Sequence, residues 1–282
     1  MSISADYHLH TNFSTDSKTP MEEMVLAGIE KGLKTMCFTE HMDYDYPVPA
    51  DDPTFNFLID MKSYLSKTTE LAEKYSNKCN ILFGIELGIQ PHLTERLQTL
   101  TSSYPFDFVI GSTHLIDGID PYFPEFYEER SEKASYQRYF EYCVENILAF
   151  PKLDAFAHLD YIVRYGPNKN KYYSYKEYSD YIDEILKLLI HHGIALEINT
   201  GSFKYGLNVT NPNLDIIKVY RQMGGELITV GSDAHVPEFI ANQFNLVSDL
   251  LNEAGFKYYT EFHNRKASFV RFLQGFMLSS RV

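Results

Sequence analysis

Residues 6–10 read DYHLH, with Asp6, His8 and His10 alternating with Tyr7 and Leu9. An extended chain points residues i, i+2 and i+4 to one side, so a strand here places an acid and two imidazoles on a single face. Three such groups turned into a protein interior are costly unless they are paired or coordinated. An exposed strand face would suit them as well, so the stretch alone leaves both readings open. The pattern further along the chain decides between them.

After a first strand-like run at 3–9, similar runs recur at 34–40, 80–87, 106–114, 153–159, 194–200 and 226–235. Most are short and apolar, as expected of parallel strands buried on both faces. Helical patterns lie between them. Thr19-Pro20-Met21-Glu22 reads as an N-cap, a Pro at the first helical position and a capping-box Glu, opening a helix that ends at Gly32. Further helical stretches span 54–75, 92–103, 131–149, 174–191, 212–222 and 237–253. Seven strand–helix units in series predict an α/β fold, either a parallel barrel or a doubly wound sheet, and the chain length favours the barrel. The longest irregular stretches, 41–53, 115–130 and 164–173, all follow strands, where barrel active-site loops belong.

Composition narrows the function classes. The 282 residues, 44% hydrophobic, suit one large α/β domain or two small ones, and a single domain over residues 1–282 is the expectation. A formal net charge of −13 repels a polyanion, which argues against nucleic-acid binding. No apolar run approaches the length of a membrane span, and MSISADYHLH lacks the pattern of a signal peptide. Cys37, Cys79 and Cys143 are scattered in apolar stretches, which reads as buried free thiols in a reducing cytoplasm.

Metal-competent groups then sort by position. His8 and His10 end the first strand, His41 the second, Glu86 the third, His114 the fourth, His158 the fifth, and Asp233 and His235 the seventh; Asp16 lies in the loop after the first. In a parallel barrel these ends converge on one face. The sixth strand is the exception. It carries Glu197, read as a supporting or structural acid rather than a ligand. His92, His191, His192 and His263 fall elsewhere and are read as structural or surface groups.

In order, DYHLH, TEH, GIE, STH, AHLD and GSDAH resemble the motifs of the PHP (polymerase and histidinol phosphatase) domain family. The resemblance runs over essentially the whole chain and implies a distorted (β/α)7 TIM-like barrel with three divalent transition metals. It implies that His8, His10, Glu86 and Asp233 hold the first. Glu86 bridges to a second, completed by His114 and His158, and Asp16, His41 and His235 hold the third. The oxygen ligand Asp16 favours Mn, Fe or Zn without choosing among them. Asp6 is expected to accept a hydrogen bond from a ligating imidazole and fix its tautomer.

Chain length, the closing segment GFKYYTEFHNRKASF and the NTGS stretch at 199–202 resemble the stand-alone histidinol-phosphate phosphatase branch, although Lys204 stands where an Arg often follows. The implied activity is hydrolysis of L-histidinol phosphate in histidine biosynthesis, by in-line attack of a metal-bridging hydroxide on phosphorus. Arg164, just past His158, is the expected phosphate contact and transition-state cation, with Ser202 and Lys204 as further phosphate ligands. Asp160 is the candidate proton donor to the leaving group, beside metal-bound water. Asp43, Asp45, Asp117 and Asp120 in the loops could meet the substrate's ammonium and imidazole. A different phosphomonoester, such as a nucleotide, a sugar phosphate or phosphotyrosine, would keep the site and change the pocket. A non-catalytic metal-binding module is the reading from another class; a full ligand set argues against it.

Overall fold

The computed structural model describes residues 3–48, 52 and 55–272. The strands are β1 (Ala5–Leu9), β2 (Thr35–Phe38), β3 (His41–Met42), β4 (Asn80–Gly88), β5 (Phe108–Ser112), β6 (Ala155–Phe156), β7 (Ala195–Asn199) and β8 (Ile228–Gly231), followed by β9 (Tyr258–His263) and β10 (Lys266–Arg271). The helices are α1 (Met21–Glu30), α2 (Met61–Lys74), α3 (Thr94–Ser103), α4 (Glu132–Ala149), α5 (Ser179–His192), α6 (Leu214–Gln222) and α7 (Phe244–Glu253). Parallel pairing runs β1-β2-β4-β5-β6-β7-β8, with β3 continuing the β2 passage along β4. The ring nearly closes where His10 N–H donates to the Ala234 carbonyl and Asp233 N–H to that of His8, each at 2.9 Å. Each of the seven passages leads into one helix, the arrangement of a distorted (β/α)7 barrel. The strand residues are buried on both faces, with the exposed first residue of β4 as the exception among β1 to β8. Their near-continuous apolar character follows from that.

Several boundaries differ from those expected, for local reasons. Thr19 does not cap α1: its hydroxyl donates to the His235 carbonyl at 3.1 Å, and Pro20 precedes the helix with no side-chain cap. Glu22 turns to Lys74 and Tyr75 instead of closing a capping box. The helix expected over 54–75 starts at Met61, because Asp60 caps it by accepting from Lys62 and Ser63 N–H. Phe57, upstream, instead pairs with Asp43 through a backbone bond of 2.9 Å. Thr54, and residues 49–51 and 53 of the expected 41–53 loop, lie outside the described residues. Asn213 caps α6 in the same way as Asp60 caps α2, so that helix begins at Leu214 rather than 212. The helix expected over 237–253 is a short 3₁₀ turn at 237–239 and then α7. Cys37, Cys79 and Cys143 are buried free thiols, as read. Among the described residues, no helix is long and apolar enough to cross a membrane.

The antiparallel hairpin of β9 and β10 lies across the N-terminal mouth of the barrel, opposite the site. Its turn residues Asn264 and Arg265 both have positive φ, 48° and 62°, as a two-residue hairpin turn of the right twist requires. Asn264 N–H donates to Asp107 Oδ1 and Arg265 N–H to the Asp107 carbonyl, just ahead of β5. Phe262 packs on Phe108, and the Tyr7 hydroxyl both donates to the Phe262 carbonyl (2.8 Å) and accepts from its N–H (2.9 Å). Tyr7→Phe leaves both buried backbone groups unpaired. It should lower unfolding stability by about 1–3 kcal/mol in urea titration, with the denaturant dependence unchanged.

Candidate metal centre

Glu86, near the C-terminal end of β4, has no exposed surface and stands at the middle of the opposite mouth. Its Oε1 lies 3.1 Å from His158 Nε2 and 3.3 Å from His114 Nε2. Its Oε2 lies 3.0 Å from His41 Nδ1, 3.1 Å from His8 Nε2 and 3.3 Å from His10 Nε2. Asp233 Oδ1 faces the same His8 and His10 nitrogens at 3.9 and 3.7 Å. At the outer edge Asp16 Oδ2 is 3.0 Å from His235 Nε2 and 3.5 Å from His41 Nε2. All nine residues placed at strand ends and in the first loop by sequence are therefore gathered in one cluster.

The far nitrogens of two imidazoles are held by carboxylates. His8 Nδ1 meets Glu197 Oε1 at 2.6 Å, and His114 Nδ1 meets Asp43 Oδ1 at 2.7 Å. Each contact fixes the ring and turns Nε2 toward Glu86. Asp6, expected to do this, does something else. The register between β1 and β2 slips between Asp6 and Leu9, and the simple alternation of Asp6, His8 and His10 fails there. The Asp6 carboxylate accepts from Ser232 N–H (2.9 Å) and Ala241 N–H (3.0 Å), tying β1 to the chain that follows β8. Glu197, read as a supporting acid, is the group that orients an imidazole.

The electrostatics follow from this crowding. Burial opposes ionisation of Glu86, but the His8, His41 and His114 imidazoles outweigh it and hold the carboxyl well below its ordinary range. Burial pushes the His114 imidazole down, yet Asp43 and Glu86 raise it to about 10. The same balance of burial against facing carboxylates raises His8 and His41. His8 Nε2, His10 Nε2, His41 Nδ1, His235 Nε2 and Glu86 Oε2 are buried atoms without a well-aligned hydrogen bond. Unsatisfied nitrogens and oxygens converging from separate strands are a donor set that a divalent cation satisfies. The tightest groupings are His8, His10 and Asp233; His8, Glu86 and His158; His41, Glu86 and His114; and His10, His41 and His235. They overlap, with His8, His10, His41 and Glu86 each belonging to two of them.

The residues expected to meet substrate divide sharply. Arg164 lines the cavity in front of the cluster. It is buried between the Tyr161 and Tyr205 rings, and its Nη1 pairs with Asp233 Oδ2 at 2.8 Å. Asp160 does not line that cavity; it lines another, on the far side of Asn211, whose Nδ2 donates to its Oδ1 at 2.6 Å. Burial raises Asp160 to about 6, a suitable value for an acid, but a proton donor must first reach the leaving group. The proton-donor role is therefore corrected. The buried Ser202 hydroxyl donates to the Val209 carbonyl, and Lys204 Nζ to the Asp233 carbonyl. Neither lines the cavity, so both expected phosphate contacts are turned to backbone oxygens. Of the loop acids, Asp43 and Asp120 line the cavity. Asp45 pairs with His92 and Arg96, and Asp117 with Arg130 and Arg138, on the surface.

The roles of three contributors are not read from the sequence, although Glu40 and Asn199 fall within the TEH and NTGS stretches. Asn199 and Asn211 carry the Arg164 guanidinium. Glu40 accepts from the Thr11 and Ser14 hydroxyls and so shapes the loop leading to Asp16. None has a period or spacing that marks it, because each acts on a residue remote in sequence. Gly231 gives a local test of the His8–Glu197 pair. A Cβ there would stand 2.4 Å from both Glu197 Oε1 and His8 Cβ. Gly231→Ala should lower metal affinity about 10–100-fold, read by competition with a chelating dye.

Comparison with known proteins agrees with this geometry. The PHP domain family model matches residues 6–201. A probable histidinol-phosphatase from Clostridium acetobutylicum is 37% identical over 239 residues, 85% of this chain and 89% of the relative. The histidinol-phosphatase of Lactococcus lactis is 31% identical over 262 residues, 93% and 95% of the two chains. A crystal structure of histidinol phosphate phosphatase from Lactococcus lactis, complexed with zinc, L-histidinol and phosphate, superposes with a TM-score of 0.84 at 30% identity. It covers 94% of this chain and 98% of that one. With the family model matching most of its length and relatives of this similarity covering nearly all of it, the chain belongs to the PHP domain family.

Proposed function

We propose that the protein is a metal-dependent phosphatase that hydrolyses L-histidinol phosphate to L-histidinol and inorganic phosphate. The observation that carries this is the buried Glu86 carboxylate ringed by five imidazoles, with Arg164 in the wall of the same cavity. His8, His10, Glu86 and Asp233 would hold one cation, Glu86, His114 and His158 a second, and Asp16, His41 and His235 a third. Divalent cations bound there supply Lewis-acid charge for the phosphoryl oxygens and acidify water near neutral pH.

The chain's own groups do the rest. Arg164 supplies a fixed positive charge for the phosphate dianion. Among the described residues three of its five N–H groups have protein partners, which leaves two for a ligand. Asp120 is buried in the cavity wall, accepting from Tyr46 OH and Tyr122 N–H, both at 2.8 Å. An acid flanked by aromatic rings suits the ammonium or imidazole of histidinol and disfavours a nucleotide or sugar phosphate.

The purified protein, supplied with Zn²⁺, Mn²⁺ or Fe²⁺, should hold about three cations per chain. It should release phosphate from L-histidinol phosphate about a hundredfold faster than from nucleotides, sugar phosphates or phosphotyrosine. A broad or different preference overturns the substrate, and absence of bound metal overturns the reading. Arg164→Ala should lower kcat/KM about 10²–10³-fold and weaken inhibition by phosphate. Metal loading should also depend on pH. Because His8, His41 and His114 are raised in the metal-free protein, they bind protons that cations must displace. Loading near neutral pH should release protons, and affinity should climb with pH, as calorimetry in buffers of different ionisation enthalpy will read.

A further inference from the structure

Arg164 is held on three sides, and two of them are carboxamides. Its Nε donates to Asn211 Oδ1 at 2.9 Å and its Nη2 to Asn199 Oδ1 at 2.8 Å; Nη1 meets Asp233. A carboxamide has an accepting and a donating end and can turn either toward a neighbour. Here a carboxylate behind each Asn removes the choice. Asp160 Oδ1 accepts from Asn211 Nδ2 at 2.6 Å, and Glu197 Oε2 from Asn199 Nδ2 at 3.0 Å. The two Asn backbones also pair with each other, each N–H donating to the other's carbonyl at 2.9 Å. Among the described residues Asp233 is thus the one carboxylate in direct contact with the guanidinium, and the two carboxamide oxygens fix its direction. Glu197 is already committed to His8, but Asp160 has no part in the metal cluster.

We propose that Asp160 is a positioning residue for phosphate binding: its carboxylate orients the Asn211 carboxamide, whose oxygen aims Arg164 into the cavity. The inference deepens the phosphatase reading and rests on it. It replaces proton donation as the role of this acid. Removing Asp160's obligate acceptor frees Asn211 to present its N–H₂ to Arg164, donor against donor, and the guanidinium swings away.

The test compares KM for L-histidinol phosphate, the inhibition constant of inorganic phosphate, kcat and metal content in three variants. Asp160→Asn keeps the shape and loses the fixed acceptor. It should raise KM and the phosphate constant about ten- to a hundredfold, with a smaller fall in kcat and metal content unchanged. The exchange Asp160→Asn with Asn211→Asp restores an obligate acceptor between Arg164 Nε and the carboxamide now at position 160, so both constants should return toward wild type. Neither constant depends on the fraction of folded enzyme. Should Asp160→Asn give no soluble protein, Asn211→Ala removes the accepting oxygen itself and should raise the same two constants. Unchanged constants in the single variants, a loss confined to kcat, or an exchange no better than Asp160→Asn overturns the proposal. Wild-type enzyme that neither releases nor binds phosphate overturns the phosphatase reading along with it; active wild type with unmoved constants overturns the positioning role alone.

Discussion

An ionised carboxylate taken out of water costs several kcal/mol unless opposite charge or hydrogen bonds surround it. Glu86 is in that position, and its five imidazole neighbours come from four separate passages of the barrel: one in β1 and one just past it, one from β3, one after β5 and one after β6. No local segment could assemble them. They meet because parallel strands deliver their C-terminal ends to one mouth, and the near-closure between β1 and β8 brings Asp233 and His235 to the same place. The fold is thus tied to the centre it builds. The hairpin of β9 and β10 fills the other mouth, where Tyr7 and Phe108 end the apolar interior.

The support around the imidazoles sets their chemistry. Glu197 and Asp43 take Nδ1 of His8 and His114, leaving Nε2 of each ring facing Glu86. Close packing protects the pairs. A side chain at Gly231 would strike Glu197, and one at Gly88 would stand 2.0 Å from Asp43 Oδ1. The carboxylates of Glu197 and Asp43 thereby control which nitrogens are available to a cation.

Much of this was legible in the sequence because it is periodic or terminal. Apolar strand runs alternate with helical patterns, and histidines recur at strand ends, so the barrel and the nine clustered residues could both be read. What failed was of a different kind. Asp6 shares the odd–even alternation of His8 and His10 in the sequence, but a register slip in β1, invisible in composition, sends its carboxylate to Ser232 and Ala241. Ser202 and Lys204 lie in a polar loop at the right end of the barrel, yet their side chains satisfy carbonyls inside that loop and beside it. Helix starts moved where a capping Asp or Asn outweighed the hydrophobic pattern, at Asp60 and Asn213. The Asn199 and Asn211 bridges to Arg164 leave no trace in spacing, since the two residues lie 35 and 47 positions away from it.

Glu86 is proposed as the shared anion among cations and imidazoles. Glu86→Gln keeps its shape and removes its charge. Metal analysis of the purified variant, alongside phosphate release and circular dichroism, addresses that claim most directly. Glu86→Gln should give a folded barrel that has lost bound cations and essentially all phosphatase activity. A Glu86→Gln protein with the metal content and rate of the wild type would contradict it.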